Sequence, residues 1–132
     1  MIRVFEPKIY ITDLISVIKT MLKSNVSGTS PTVAEFENLI SMKFNRKYGV
    51  AVSNGSVALD LALQQLNLKE NDEGILPSFT IVSCLSAVIR TGAKPVFCDV
   101  NKKSWNMTKA DIEKVFTKNT KAVIMVHTYG LP

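Results

Sequence analysis

The sequence predicts an α/β fold, with a parallel-type sheet covered by helices on both faces. Three observations predict it. Short, nearly uniform apolar runs alternate along the 132 residues with stretches of helical periodicity. One of those runs, Val50 to Val52, passes through Ser53-Asn54-Gly55-Ser56 directly into an amphipathic pattern with Leu59, Ala62, Leu63 and Leu66 on one side. Polar residues then recur where the apolar runs end, at the carboxyl edge where such sheets bind ligands: Ser53 to Ser56, Pro77 to Thr80, Asp99, and His127 to Gly130.

The elements follow in order. Met1 to Tyr10 is irregular, with Pro7 opposing regular structure. Thr12 is a candidate N-cap for a helix to about Lys23, with Leu14, Ile15, Ile18 and Leu22 on its apolar face. The polar stretch Ser24 to Pro31 is expected as a plain connector, with a lid or substrate loop as the alternative. Thr32 with Glu35 has the spacing of a capping box, opening a helix that turns Val33, Phe36, Leu39, Ile40 and Phe44 inward. Val50 to Val52 is the first strand, since β-branched residues suit a sheet covered on two sides. Ile75 to Pro77 is the second strand, a helix runs from about Ile81 to Thr91, and Gly92 stops it. Pro95 to Val100 is the third strand. Thr108 to Asp111 caps a helix to about Phe116, and Lys121 to Val126 is the fourth strand. A parallel strand needs both faces covered, and no helical pattern follows this last one. The expectation is therefore a sheet truncated after its fourth strand.

Composition narrows the function. A hydrophobic fraction of 46% with 20% charged residues is that of a soluble globular protein. No apolar run approaches the ~20 residues of a membrane span, and no leader pattern precedes the first helix. The net charge is +5, from 16 basic and 11 acidic residues. The lysines are scattered without interleaved aromatics, so nucleic acid is not an expected partner. Cys84 and Cys98 lack metal-ligand spacing and are expected as buried thiols, as in a cytoplasmic protein.

The stretch around Gly55 carries the chemistry. A strand, a glycine turn and a helix start present free N–H groups and a positive dipole end to an anion, and Gly55 accepts a positive φ. Ser56 adds a hydroxyl. Read from the residues, this is either a phosphate loop or an ordinary turn in which Ser56 caps the helix.

With these residues laid out, the chain resembles the DegT/DnrJ/EryC1/StrS family of pyridoxal-phosphate-dependent sugar aminotransferases. The resemblance is carried by Gly28 to Phe36, Val52 to Leu63, Leu76 to Thr80, Gly92 to Val100, Thr120 to Val123 and Val126 to Pro132. Val4-Phe5-Glu6-Pro7 and Ser104-Trp105-Asn106-Met107 look like its perosamine synthetase branch. The resemblance implies a partial fold-type-I, aspartate aminotransferase-like large domain over residues 31–132. Residues 1–30 would then be an N-terminal helix and substrate-side loop. It also implies a homodimer. Asn54, Gly55 and Ser56 would hold the cofactor phosphate. Ile81 stands where the family usually has an aromatic residue against the pyridine ring, so it either covers that ring by dispersion or packs at the helix start.

Other positions depart from the family pattern. Asn71 stands at a usual turn glycine, and Gly74 at a usual β-branched position, where it should weaken the strand start. No aromatic occurs near Asn25 to Ser27. His127, the only histidine, resembles a packing and hydrogen-bonding residue near the site, because the family's proton-transferring base is a lysine. That Schiff-base lysine and the pyridinium aspartate are expected beyond Pro132, so no catalytic residue is assigned here. No metal is expected.

The implied function is amination of a nucleotide-linked keto-deoxysugar, with GDP-4-keto-6-deoxymannose as acceptor and glutamate as donor, toward a surface polysaccharide. The fragment itself would be inactive. One alternative is a non-catalytic relative that binds a phosphorylated ligand or a partner subunit. A dehydrogenase-type domain fits poorly, since Gly-x-Gly-x-x-Gly is missing after the first strand.

Overall fold

The computed structural model describes residues 7–130, so Val4-Phe5-Glu6 and Leu131-Pro132 of the resemblance lie outside the described residues. The elements are α1 Ile11–Leu22, α2 Pro31–Lys43, α3 Gly55–Gln64, β1 Glu73–Pro77, α4 Val82–Arg90, β2 Lys94–Cys98, α5 Lys109–Val115 and β3 Thr120–Val123. They fall into two compact units, Met1–Ala51 and Val52–Pro132.

In the first unit, α1 begins before Thr12, which is not the cap. The Asp13 carboxylate closes the first turn instead, accepting the N–H of Tyr10 at 3.0 Å. The Thr32–Glu35 capping box does not form either. Pro31 opens α2 behind an extended Ser30, because its fixed φ and missing N–H suit the first helical position. Phe36, Leu39 and Phe44, predicted to face inward, are more than half exposed, and the apolar face of α1 is also exposed. Periodicity sets which side of a helix is apolar; it does not supply the surface that covers it. At Gly49 a Cβ would stand 2.5 Å from the carbonyl oxygen of Glu37, so the chain passes there without room for a side chain. Beside it, the Glu37 carboxylate accepts the N–H of Ala51 at 2.8 Å.

The second unit is a three-stranded parallel sheet in the order β2-β1-β3. The predicted strand at Val50 to Val52 is absent, so the sheet has three strands rather than four among the described residues. Val50 is 69% exposed. Its β-branched composition gives a propensity, but a strand exists only through a ladder partner, and none of the described strands pairs with it.

Side-chain alternation then builds two cores on opposite faces. Leu76, Ala122 and Ile124 pack under Cys84, Ala87 and Val88 of α4 and Leu63 of α3. Ile75 and Cys98 pack with Met107 against Ile112 and Val115 of α5. Helices thus cover both faces, as predicted. Strand β1 runs through Gly74, although its register against β3 shifts between Glu73 and Gly74. A Cβ at Gly74 would lie 2.9 Å from a methyl of Val88, so the glycine is what lets α4 seat on β1. At α5 the predicted cap is present, with Thr108 and Asp111 accepting each other's backbone N–H groups.

Candidate functional site

The amino end of α3 is set by Asn54, whose extended backbone is normal for an N-cap and whose Oδ1 accepts the N–H of Val57 at 3.1 Å. Ser56 is therefore not the cap. Its hydroxyl lies 2.8 Å from that of Ser83, in the first turn of α4. Among the described residues, no acceptor meets the N–H of Gly55 or of Ser56. Gly55 does not adopt the positive φ anticipated for it. Its contribution is open space, because a Cβ there would meet nothing within 4 Å. Gly55, Ser56, Leu59, Ile81 and Ser83 line a cleft of about 470 Å³.

The exit loop of β1 borders a second cleft. Ser78 ties the loop to β2 by donating its N–H to Cys98 O at 2.8 Å, and Thr80 Oγ1 lies 3.3 Å from Cys84 Sγ. Ile81, 67% exposed, ends the loop and lines both clefts. The second cleft, about 310 Å³, also meets Phe79, Thr80 and the loop from Val126 to Tyr129. It lies at the carboxyl ends of the neighbouring strands β1 and β3, where ligands of parallel sheets bind. His127 borders it as an exposed ring with no hydrogen-bond partner among the described residues, rather than as a packed residue.

Sequence reasoning missed the brace behind this cleft. Asn106 is buried, and its Oδ1 accepts the N–H of Thr128 at 2.9 Å. Thr128 Oγ1 donates to Trp105 O at 3.2 Å. Trp105 packs edge-to-face on Phe79 with ring centroids 4.7 Å apart. Trp105 and Tyr129 hold φ values of 62° and 57°, a region bulky side chains avoid, so both loops are held there by their surroundings. The signal available was Ser104-Trp105-Asn106-Met107, which in sequence carries no contact information.

Predicted groups at the strand ends have separate fates. Asp99 accepts the N–H of Val100 at 2.8 Å and borders a third cleft with Phe79 and Trp105. Cys84 and Cys98 are free and buried. Burial, followed by the charges of Asp111 and Asp99, pushes the Cys98 thiol up, so it stays protonated at the end of β2, on the face covered by α5. Among the described residues there is no cluster of His, Cys, Asp and Glu able to hold a metal ion, and no helix is long and apolar enough to cross a membrane.

Residues 9–132 match the DegT/DnrJ/EryC1/StrS aminotransferase family. The chain belongs to that family. Its family relatives include the GDP-perosamine synthase of Escherichia coli O157:H7, which is 40% identical over 107 residues, or 81% of this chain and 29% of that protein. The UDP-N-acetyl-3-dehydro-alpha-D-glucosamine 3-aminotransferase of Acidithiobacillus ferrooxidans is 47% identical over 85 residues, covering 64% of this chain and 23% of the relative. An aminotransferase of Psychrobacter cryohalolentis has the same fold over 96% of this chain and 32% of its own, with a TM-score of 0.88 and 34% identity. A Streptococcus pneumoniae protein described as a sugar aminotransferase was solved in pyridoxal-phosphate and pyridoxamine-phosphate forms. It matches with a TM-score of 0.82 and 28% identity over 96% of this chain and 32% of its own. The present chain matches between 23% and 32% of the length of these relatives.

Proposed function

We propose that the complete protein is a pyridoxal-phosphate-dependent aminotransferase acting on a nucleotide-linked keto-deoxysugar, and that this chain supplies its phosphate cradle and one wall of its ring site. The observation that carries this is the donor-rich amino end of α3. Two unpaired N–H groups and the Ser56 hydroxyl stand there, with no side chain at Gly55 to block approach. That donor set fits a phosphate dianion, which accepts hydrogen bonds and donates none. The open cleft beside it begins at Ile81, so the residues present fit the group.

When bound, the cofactor supplies the carbonyl carbon that carries the amino group and the ring that spreads charge. This chain binds and orients. Gly55 and Ser56 would hold the phosphate, with Asn54 capping the helix turn that carries them. Ile81, which lines the same cleft, would cover the ring by dispersion. The brace from Asn106 to Thr128 keeps the opposite loop in place.

GDP-4-keto-6-deoxymannose is the proposed acceptor and glutamate the donor, supported by the similarity to a GDP-perosamine synthase. With this go a homodimer, a cytoplasmic location, a substrate-side segment at residues 1–30 and the start of the cofactor domain at 31–132. The test is to incubate the full-length protein with this acceptor and glutamate. Formation of 2-oxoglutarate together with the 4-amino sugar is expected. Amination of only a UDP-linked 3-keto sugar would overturn the acceptor. Tight binding of pyridoxamine phosphate without any amination would replace the enzyme by a non-catalytic phosphate binder.

A further inference from the structure

The Ser56–Ser83 contact joins the first turns of α3 and α4, and neither hydroxyl meets another partner among the described residues. At 2.8 Å, one oxygen donates and the other accepts. Each serine has a single hydroxyl hydrogen. A phosphate monoester is largely dianionic above its second pKa of about 6 and then offers only acceptors. If Ser56 gave its hydrogen to Ser83, it would turn a lone pair toward the anion and repel it. The reverse direction leaves Ser56 free to donate.

We propose that Ser83 is a positioning residue: it donates its hydroxyl hydrogen to Ser56 Oγ and thereby aims the Ser56 hydrogen at the cofactor phosphate. This rests on the assignment of Gly55 and Ser56 as the phosphate cradle. It adds a residue from α4, which neither motif nor spacing singles out. The same bond ties the phosphate end of the site to the helix that follows Ile81, so both walls of the cleft share one anchor.

The experiment measures the dissociation constants of pyridoxamine phosphate and of pyridoxamine by calorimetry on the full-length protein at pH 8, without donor or acceptor. The two probes differ only in the phosphate, and their ratio is insensitive to a general loosening of the fold. Ser56→Ala is expected to weaken pyridoxamine phosphate by roughly 10- to 150-fold, as for a hydrogen bond to a charged group, with pyridoxamine unchanged. Ser83→Ala is expected to weaken it by roughly 2- to 10-fold, again with pyridoxamine unchanged, and Ser83→Thr to restore it. The double variant should bind like Ser56→Ala alone, because Ser83 acts only through Ser56. The inference is overturned by an unchanged ratio in Ser83→Ala, or by losses that multiply in the double variant, which would make Ser83 an independent ligand. If Ser56→Ala itself leaves the ratio unchanged, the phosphate assignment falls and not merely the role of Ser83.

Discussion

Ser56 and Ile81 line one cleft and carry different physical loads. Ser56 is polar and, on the proposed assignment, acts through a hydrogen bond, so its removal should be read almost entirely in the phosphate of a bound cofactor. Ile81 contributes area. Introducing an aromatic ring by Ile81→Tyr should tighten binding of pyridoxamine by roughly 2- to 10-fold through stacking and shift its absorption band. Unchanged affinity and spectrum would mean that Ile81 packs at the start of α4 and does not face the ring. At this scale the site was half legible. Asn54, Gly55 and Ser56 are contiguous, and contiguity of strand, turn and helix start is itself a geometric statement. Ser83 and Asn106 were not legible, because each acts on a residue more than twenty positions away and nothing local marks that distance.

At the scale of elements, β1 meets α4 without spare room at Gly74. Gly74→Ala places a methyl against Val88, a stiff β-branched side chain with no exposed surface, and should cost about 1–3 kcal/mol by overpacking. Combining it with Val88→Ala should recover part of that loss in urea unfolding; a neutral Gly74→Ala would show that α4 moves freely on the sheet. Helix α5 gives a pH-dependent prediction. The Thr108 hydroxyl, and secondarily Lys114, hold the Asp111 carboxyl down to about 2 from an ordinary 3.8. A carboxylate depressed in the folded state stabilises it above the ordinary value, and that contribution is lost as pH falls from 3.8 through about 2. The stability difference between the native protein and Asp111→Asn should therefore be present at neutral pH and shrink over that acidic window. A difference that stays constant with pH would assign it to packing. Thr108→Ala should lower stability by about 0.5–2 kcal/mol through the lost cap.

For the whole molecule, exposed apolar surface is the dominant feature. Phe97, Val123 and Met125 are at least 39% exposed, and both edge strands, β2 and β3, lack a second neighbour among the described residues. Unpaired edges and apolar patches of this kind favour association. The 132-residue polypeptide alone should self-associate in sedimentation velocity and bind a hydrophobic dye. A monodisperse monomer without dye binding would contradict that expectation.

The sequence by itself determined the alternation of strands and helices, the two-sided burial of the sheet and the strand-exit turn that opens α3 with free N–H groups. Each follows from side-chain period or from residues adjacent in the chain. Only the tertiary structure decided that Val50 to Val52 forms no strand, that Asn54 rather than Ser56 caps α3, and that Ser83 and Asn106 stand behind the site. These depend on which backbone groups find partners across space, and a hydrogen bond spanning 27 residues, as between Ser56 and Ser83, leaves no trace in local pattern.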